Sequence, residues 1–105
     1  KLPLPQLRAA AGALAGEVVH VDRFGNLVTN IDLASFYALV KGKRYRITAG
    51  AESLESISRS YSDGQPGQLL ALFGCQQTLE LSVNKGSAAN KLGKGRGLQV
   101  TVQAV

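Results

Sequence analysis

Methionine and tryptophan are missing from this 105-residue sequence, and cysteine and histidine occur once each, as Cys75 and His20. One cysteine cannot close an intrachain disulfide, and a lone thiol and a lone imidazole do not make a metal-binding cluster. A Ser-His-Asp arrangement built on His20 would need partners that the sequence does not supply. No apolar run reaches the length of a transmembrane helix, and the first residues lack the charged-then-apolar pattern of a signal peptide. Acidic residues are few: Glu17, Asp22, Asp32, Glu52, Glu55, Asp63 and Glu80. No pair of them has a spacing that demands acid–base work. Lys94-Gly95-Arg96-Gly97 is basic and glycine-rich but lacks the strand–loop–helix setting of a P-loop. We therefore expect no metal, no cofactor, no membrane partner and no catalytic residue in this chain, and the cytoplasm as its compartment. The start at Lys1 is read as that of a piece of a longer protein.

What is present suits one small domain. Apolar residues make up 45% of the chain, enough for a modest core. The net charge of +5 comes largely from two clusters, Lys41, Lys43, Arg44 and Arg46, and Lys91, Lys94 and Arg96. Such clusters can neutralise phosphates or simply keep loop tips solvated.

Residues 1–15 read as a lead-in, with Pro3 and Pro5 favouring an extended chain. Glu17–Val21 and Leu27–Ile31 alternate as strands, with Leu27, Thr29 and Ile31 on one face. Asp32 can cap a short helical turn through Phe36, and Lys41-Gly42-Lys43 reads as a hairpin tip. Lys43–Thr48 alternates again, placing Tyr45 and Ile47 inward and Arg44 and Arg46 outward. A weaker, serine-rich strand is expected over Leu54–Tyr61, followed by a turn through Ser62–Gly67. Gln68–Phe73 is a continuous apolar run of strand length. Leu79, Leu81 and Val83 alternate with Glu80, Ser82 and Asn84. Ser87 and Gly93 bracket a short helix, and the chain ends in a strand over residues 98–103. About seven short strands with one or two helical turns predict an all-β fold, a small antiparallel barrel.

The stretch Asp22–Ile31 holds an aromatic, a glycine and a carboxamide in succession. A tight turn at Gly25 can aim the Phe24 ring and the Asn26 amide at one space, where a ring stacks on a planar heterocycle and an amide reads its edge. The simpler alternative is a hairpin in which Phe24 caps the core and Asn26 bonds its own backbone.

Asp22-Arg23-Phe24-Gly25-Asn26-Leu27-Val28-Thr29-Asn30-Ile31 resembles the signature of the S-adenosylmethionine hydroxide adenosyltransferases, whose superfamily also holds fluorinating and chlorinating enzymes. Ser60-Tyr61-Ser62-Asp63-Gly64, Gly67–Leu72 and Leu79–Ala89 resemble three further family segments, in order. The likeness spans Gly16–Val102 and is to the C-terminal domain. It implies that 1–15 is an interdomain linker remnant, that 16–105 is a C-terminal β-barrel domain, and that an α/β N-terminal domain belongs upstream. It also implies a homotrimer, with substrate held between this domain and the N-terminal domain of a neighbouring subunit. The implied reaction is attack on ribose C5′ of S-adenosylmethionine, with water giving adenosine and methionine or a halide giving the halogenated nucleoside. Catalytic residues would lie outside this chain, and the isolated domain would be inactive.

By position, the resemblance implies that Phe24 and Tyr61 stack on adenine and that Asn26 hydrogen-bonds near it. Asn84 and the backbone around Ala88 would meet the adenine edge. Cys75 and Gln76 fall where the family holds the methionine carboxylate. Here Gly74-Cys75-Gln76 departs from the family pattern: a thiol is a weaker hydrogen-bond partner than a hydroxyl, and Gln76 carries no charge. Two other classes of function compete with this reading, a basic barrel that binds single-stranded nucleic acid through Phe24, Tyr45 and Tyr61, and a domain that only builds an oligomer. Nucleic acid is the less expected partner.

Overall fold

The computed structural model describes residues 6–105. Eight antiparallel strands and two short helices follow in the order β1 (Arg8–Ala10), β2 (Ala13–Val21), β3 (Leu27–Asp32), α1 (Leu33–Val40), β4 (Tyr45–Ala49), β5 (Glu52–Leu54), β6 (Leu69–Phe73), β7 (Thr78–Val83), α2 (Ala88–Leu92) and β8 (Gln99–Ala104). Seven strands form one path, β5-β4-β8-β2-β3-β7-β6, and β1 pairs with β2 off that path. The path curls into a nearly closed barrel, and the Ser58 amide donates to the Ala71 carbonyl (2.7 Å) beside its β6 edge.

Strand β2 is the corner of the barrel. Its first half, Ala13–Glu17, pairs with β8, and its second half pairs with β3 from Val18 onward. Register shifts between Val18 and His20, a bulge of the kind that bends a strand. Gly16 sits at the change of partner, where a Cβ would run into the side chains of Asn30 and Ile31. The Asn30 carboxamide fills that space and accepts the Glu17 amide (2.9 Å).

Alternation decides what is inside. Leu27, Thr29 and Ile31 of β3 are buried together, as are Leu79 and Leu81 of β7 and Val100 and Val102 of β8. Thr29 is tolerated there because its hydroxyl donates to the Leu79 carbonyl at 2.7 Å. Strand β6 is buried over Leu69–Leu72, as its unbroken apolar run suggests.

The structure departs from the sequence expectations in three places. Residues 8–10 and 13–15, expected in the lead-in, belong to ladders β1–β2 and β2–β8, because main-chain pairing needs no strongly apolar side chains. Pro3 and Pro5 lie outside the described residues. Helix α1 does not stop at Phe36 but continues to Val40, with Asp32 accepting the Ser35 amide as its N-cap. Phe36 and Val40 are four residues apart and both buried, so burial extends the helix, and Lys41-Gly42-Lys43 is its exit rather than a hairpin tip. Phe36 makes edge contacts with Tyr45 (5.1 Å) and Phe73 (5.2 Å). Finally, the strand expected over Leu54–Tyr61 ends at Leu54. Beyond it the Asp63 carboxylate takes the amides of Arg59 and Ser60 and the Ser60 hydroxyl, local bonds that compete with a ladder. Helix α2 is capped by Ser87 and closed by Gly93 in the left-handed region, φ 65°, as its sequence foretells.

Candidate functional site

The turn between β2 and β3 is tied by one carboxylate. Asp22 Oδ1 accepts the amides of Phe24 (2.9 Å) and Asn26 (3.0 Å), and Oδ2 accepts the Asn26 side-chain amide (2.9 Å). Main-chain bonds from Gly25 to Asp22 and from Asp22 to Asn26 close the loop. Partial desolvation works against the Asp22 charge, but the hydrogen bonds from Asn26 and Phe24 outweigh it and hold the carboxyl below its usual range. Gly25 adopts φ 82°, where a side chain is strained. A Cβ there would also strike Ser87, the cap of α2. The Gly25 carbonyl accepts the Ala89 amide at 3.0 Å, so the turn and α2 brace each other.

This frame presents Phe24 and Asn26 differently. Phe24 is 64% exposed, so it does not cap the core. The Arg23 guanidinium lies 5.1 Å from its ring centroid. Asn26 is 8% exposed and is held from both ends: its Nδ2 donates to Asp22, and its Oδ1 accepts the Ser82 hydroxyl at 2.8 Å. It bonds side chains, not its own backbone.

Tyr61 arrives from the irregular segment between β5 and β6. Its ring is 45% exposed and its hydroxyl donates to Glu80 Oε1 at 3.0 Å. Desolvation first, then the Glu80 hydrogen bond and neighbouring negative charge, push the phenol above its ordinary value. Phe24, Asn26 and Tyr61 line one open cavity of about 520 Å³ together with Asp22, Ser82, Val83, Lys85 and Gly86. Lys85 reaches it from the β7–α2 turn with a left-handed backbone, φ 57°, an uncommon conformation for a residue with a Cβ. Asp22 and Lys85 give the cavity one charge of each sign.

The other four expected residues do not line this cavity. Asn84 spends its amide on the Gly64 carbonyl (2.6 Å), and its main chain bonds Gly67 and Gln68, so it fastens the Tyr61 segment to β7. Ala88 is wholly buried at the start of α2. Cys75 and Gln76 are exposed in the β6–β7 turn.

Five cavity residues, Asp22, Ser82, Val83, Lys85 and Gly86, escaped the sequence reading. Asp22 was signalled by its place three residues before a glycine, a common start for a side-chain-supported turn. Ser82 was legible only as a polar position in β7, and nothing local pointed to Lys85.

The basic clusters lie elsewhere. Lys94 and Arg96 line a separate cavity of about 610 Å³ with Thr48 and Thr101, while Arg46 pairs with Glu55 at 3.2 Å on the surface. Tyr45, half-buried against Phe36, lines neither of these cavities. Neither basic cluster lines the cavity that holds Phe24 and Tyr61, where Lys85 is the one basic residue. Among the described residues no group of three or more His, Cys, Asp or Glu could hold a metal ion, and no helix is long and apolar enough to cross a membrane.

Comparison with known proteins gives one family. Residues 16–101 match the model of the SAM hydroxide adenosyltransferase C-terminal domain. An (R)-S-adenosyl-L-methionine hydrolase of Thermus thermophilus is 32% identical over 85 residues, covering 81% of this chain and 30% of that protein. One from Salinispora tropica is 29% identical over 104 residues, covering 99% of this chain and 38% of its own length. The chain thus spans about a third of the curated relatives it matches. Among solved structures, an uncharacterized conserved protein of Thermotoga maritima superposes with TM-score 0.80 at 27% identity, over 97% of this chain and 40% of that one. A conserved hypothetical protein of Thermus thermophilus gives 0.62 at 26% identity, over 87% and 34%.

Proposed function

This chain belongs to the family of SAM hydroxide adenosyltransferase C-terminal domains, and from that premise we propose that it supplies the adenine-binding part of an S-adenosylmethionine-cleaving enzyme. The observation that carries the reading is the convergence of Phe24, Asn26 and Tyr61 on one cavity. Two rings can hold a purine by its faces, a contact that contributes about 1–3 kcal/mol per base. A carboxamide has two N–H groups and two lone pairs on oxygen. Asn26 uses one of each on Asp22 and Ser82, which fixes the amide plane and leaves one of each for the edge of the base. Asp22 and Lys85 offer opposite charges to the zwitterionic amino-acid end of S-adenosylmethionine.

The nucleophile of the proposed reaction is water, and Asp22, the one carboxylate lining the cavity, is occupied by hydrogen bonds from Phe24 and Asn26. We assign the displacement step to the part of the relatives that lies beyond this domain, contributed by the N-terminal domain of a neighbouring subunit in a homotrimer, in the cytoplasm. The water oxygen forms a bond to ribose C5′, the C5′–S bond breaks, methionine leaves with that electron pair, and the proton passes to solvent. The products are adenosine and methionine.

Calorimetry of this chain with adenosine, and product analysis of the intact protein with S-adenosylmethionine, test the two parts separately. Adenosine binding that weakens in both Phe24→Ala and Tyr61→Ala supports the cleft, and unchanged affinity in both refutes it. Intact protein that binds S-adenosylmethionine yet leaves it whole would refute the hydrolase assignment. The nucleic-acid reading predicts oligonucleotide retention that falls steeply with salt, and no observation on the cavity favours it.

A further inference from the structure

Tyr61 stands in a segment without helix or strand, so no ladder fixes the direction of its ring. Its hydroxyl is nevertheless tethered to Glu80. Glu80 lies on β7, where it is paired on one side with Val28 of β3 and on the other with Leu72 of β6, so its backbone is held by two ladders. Its second carboxylate oxygen occupies the space that a Cβ at residue 74 would fill. Gly74 therefore leaves a notch at the start of the β6–β7 turn, and the Glu80 carboxylate sits in it. Among the described residues no lysine or arginine forms an ion pair with Glu80; the one ion pair is Arg46 with Glu55. The partner that the carboxylate does have is the Tyr61 hydroxyl.

We propose that Glu80, seated in the notch left by Gly74, is a positioning residue that holds the Tyr61 ring in place as the second wall of the purine cleft. This rests on the reading of Phe24 and Tyr61 as the two walls. A phenol donating to a carboxylate forms a charge-assisted bond, stronger and shorter than a neutral one. With that bond in place, the ring is ordered before the ligand arrives and its rotamer freedom is not lost on binding. Gly74 thereby acquires a role: it makes room for an acid that acts on the aromatic wall.

The test uses Gly74→Ala, Glu80→Ala, Glu80→Gln and Tyr61→Phe in this chain. Gly74→Ala is the informative variant, because the atoms it displaces are at the end of a flexible side chain and the barrel need not move. Two readouts are taken. Spectrophotometric titration, with Tyr61→Phe as the difference reference, should place the Tyr61 phenol above its ordinary 10.0, and it should fall back in Gly74→Ala and Glu80→Ala. Adenosine affinity should weaken roughly twofold to tenfold in those two variants and in Tyr61→Phe, the range for ordering one side chain on binding. Glu80→Gln, which still accepts the phenol hydrogen, should retain most of the affinity. Unchanged titration and affinity in Gly74→Ala and Glu80→Ala would overturn the proposal. Loss of the titration shift without any change in affinity would also overturn it, showing a tether with no part in binding. No adenosine binding by the unsubstituted chain would refute the cleft itself, and the titration would then report separately whether the tether exists.

Discussion

Replacing Gly25 with alanine tests whether the turn that presents Phe24 depends on a bare backbone. Two costs are separable. The first is conformational: a side chain at φ 82° costs about 1–2 kcal/mol. The second is contact, since the new methyl would meet the side chain and Cα of Ser87. Ser87 Oγ accepts the Asn90 amide, and turning it aside forfeits a helix cap worth about 1 kcal/mol. Moving the backbone instead stretches the bond from the Ala89 amide to the Gly25 carbonyl, worth about 0.5–1.5 kcal/mol. The expected loss is about 2–4 kcal/mol, within the 5–15 kcal/mol typical of a folded domain. Gly42→Ala supplies the control, for Gly42 also has positive φ (67°) but nothing within 4 Å of a Cβ. It should show the conformational cost alone. Urea unfolding followed by tyrosine fluorescence measures both, and a slope of about 2 kcal/mol/M converts the Gly25 loss into a midpoint lower by roughly 1–2 M. If Gly25→Ala and Gly42→Ala lose the same stability, the turn is not braced against α2 as described.

Two further outcomes are expected. Phe24→Ala should change stability by less than about 0.5 kcal/mol, as an exposed residue does, while adenosine affinity falls by about 1–3 kcal/mol; a large loss of stability would mean the ring is part of the core. The acid limb should depend on Asp22 and Asp32, both held below their ordinary 3.8 by hydrogen bonds in the fold. A carboxyl with a lowered folded value is protonated more readily when the chain unfolds, so its contribution is present above pH 3.8 and is lost as pH falls through the folded value. Asp32→Asn keeps a capping oxygen and removes the titration, so urea midpoints measured between pH 2 and 7 should fall less steeply on the acid side. Superimposable profiles for the two proteins would contradict this.

Local features were legible in the sequence and long-range partnerships were not. Period-two alternation in Leu27–Ile31 and in Leu79–Val83 located strands because one face of each must be buried. Ser87 and Gly93 marked the ends of α2 because capping needs only neighbours. The Phe24–Gly25–Asn26 turn could be recognised, but not what Asn26 does. Its partner Ser82 is 56 residues away, and without that bond a buried structural amide and an exposed reading head look alike. Tyr61 and Glu80 are 19 residues apart and meet only because the sheet folds the β7 acid under the preceding loop. The length of α1 was missed for the opposite reason: Phe36 and Val40 carried the signal at helical spacing, and the basic run after them suggested a turn too early.

The nearly closed shape of the barrel leaves the two aromatic rings that line its cavity unequally anchored. Phe24 hangs from a hairpin at the heart of the sheet, whereas Tyr61 rides on a strap that spans the gap. Substitutions in that strap can re-angle the Tyr61 ring while the ladders that carry Phe24 stay in place, provided they spare Ile57, which packs against the core, and Gly64, which abuts Leu70. On the proposed reading, a lineage could therefore drift in its ligand through exposed positions of residues 55–68 while the signature turn stays fixed.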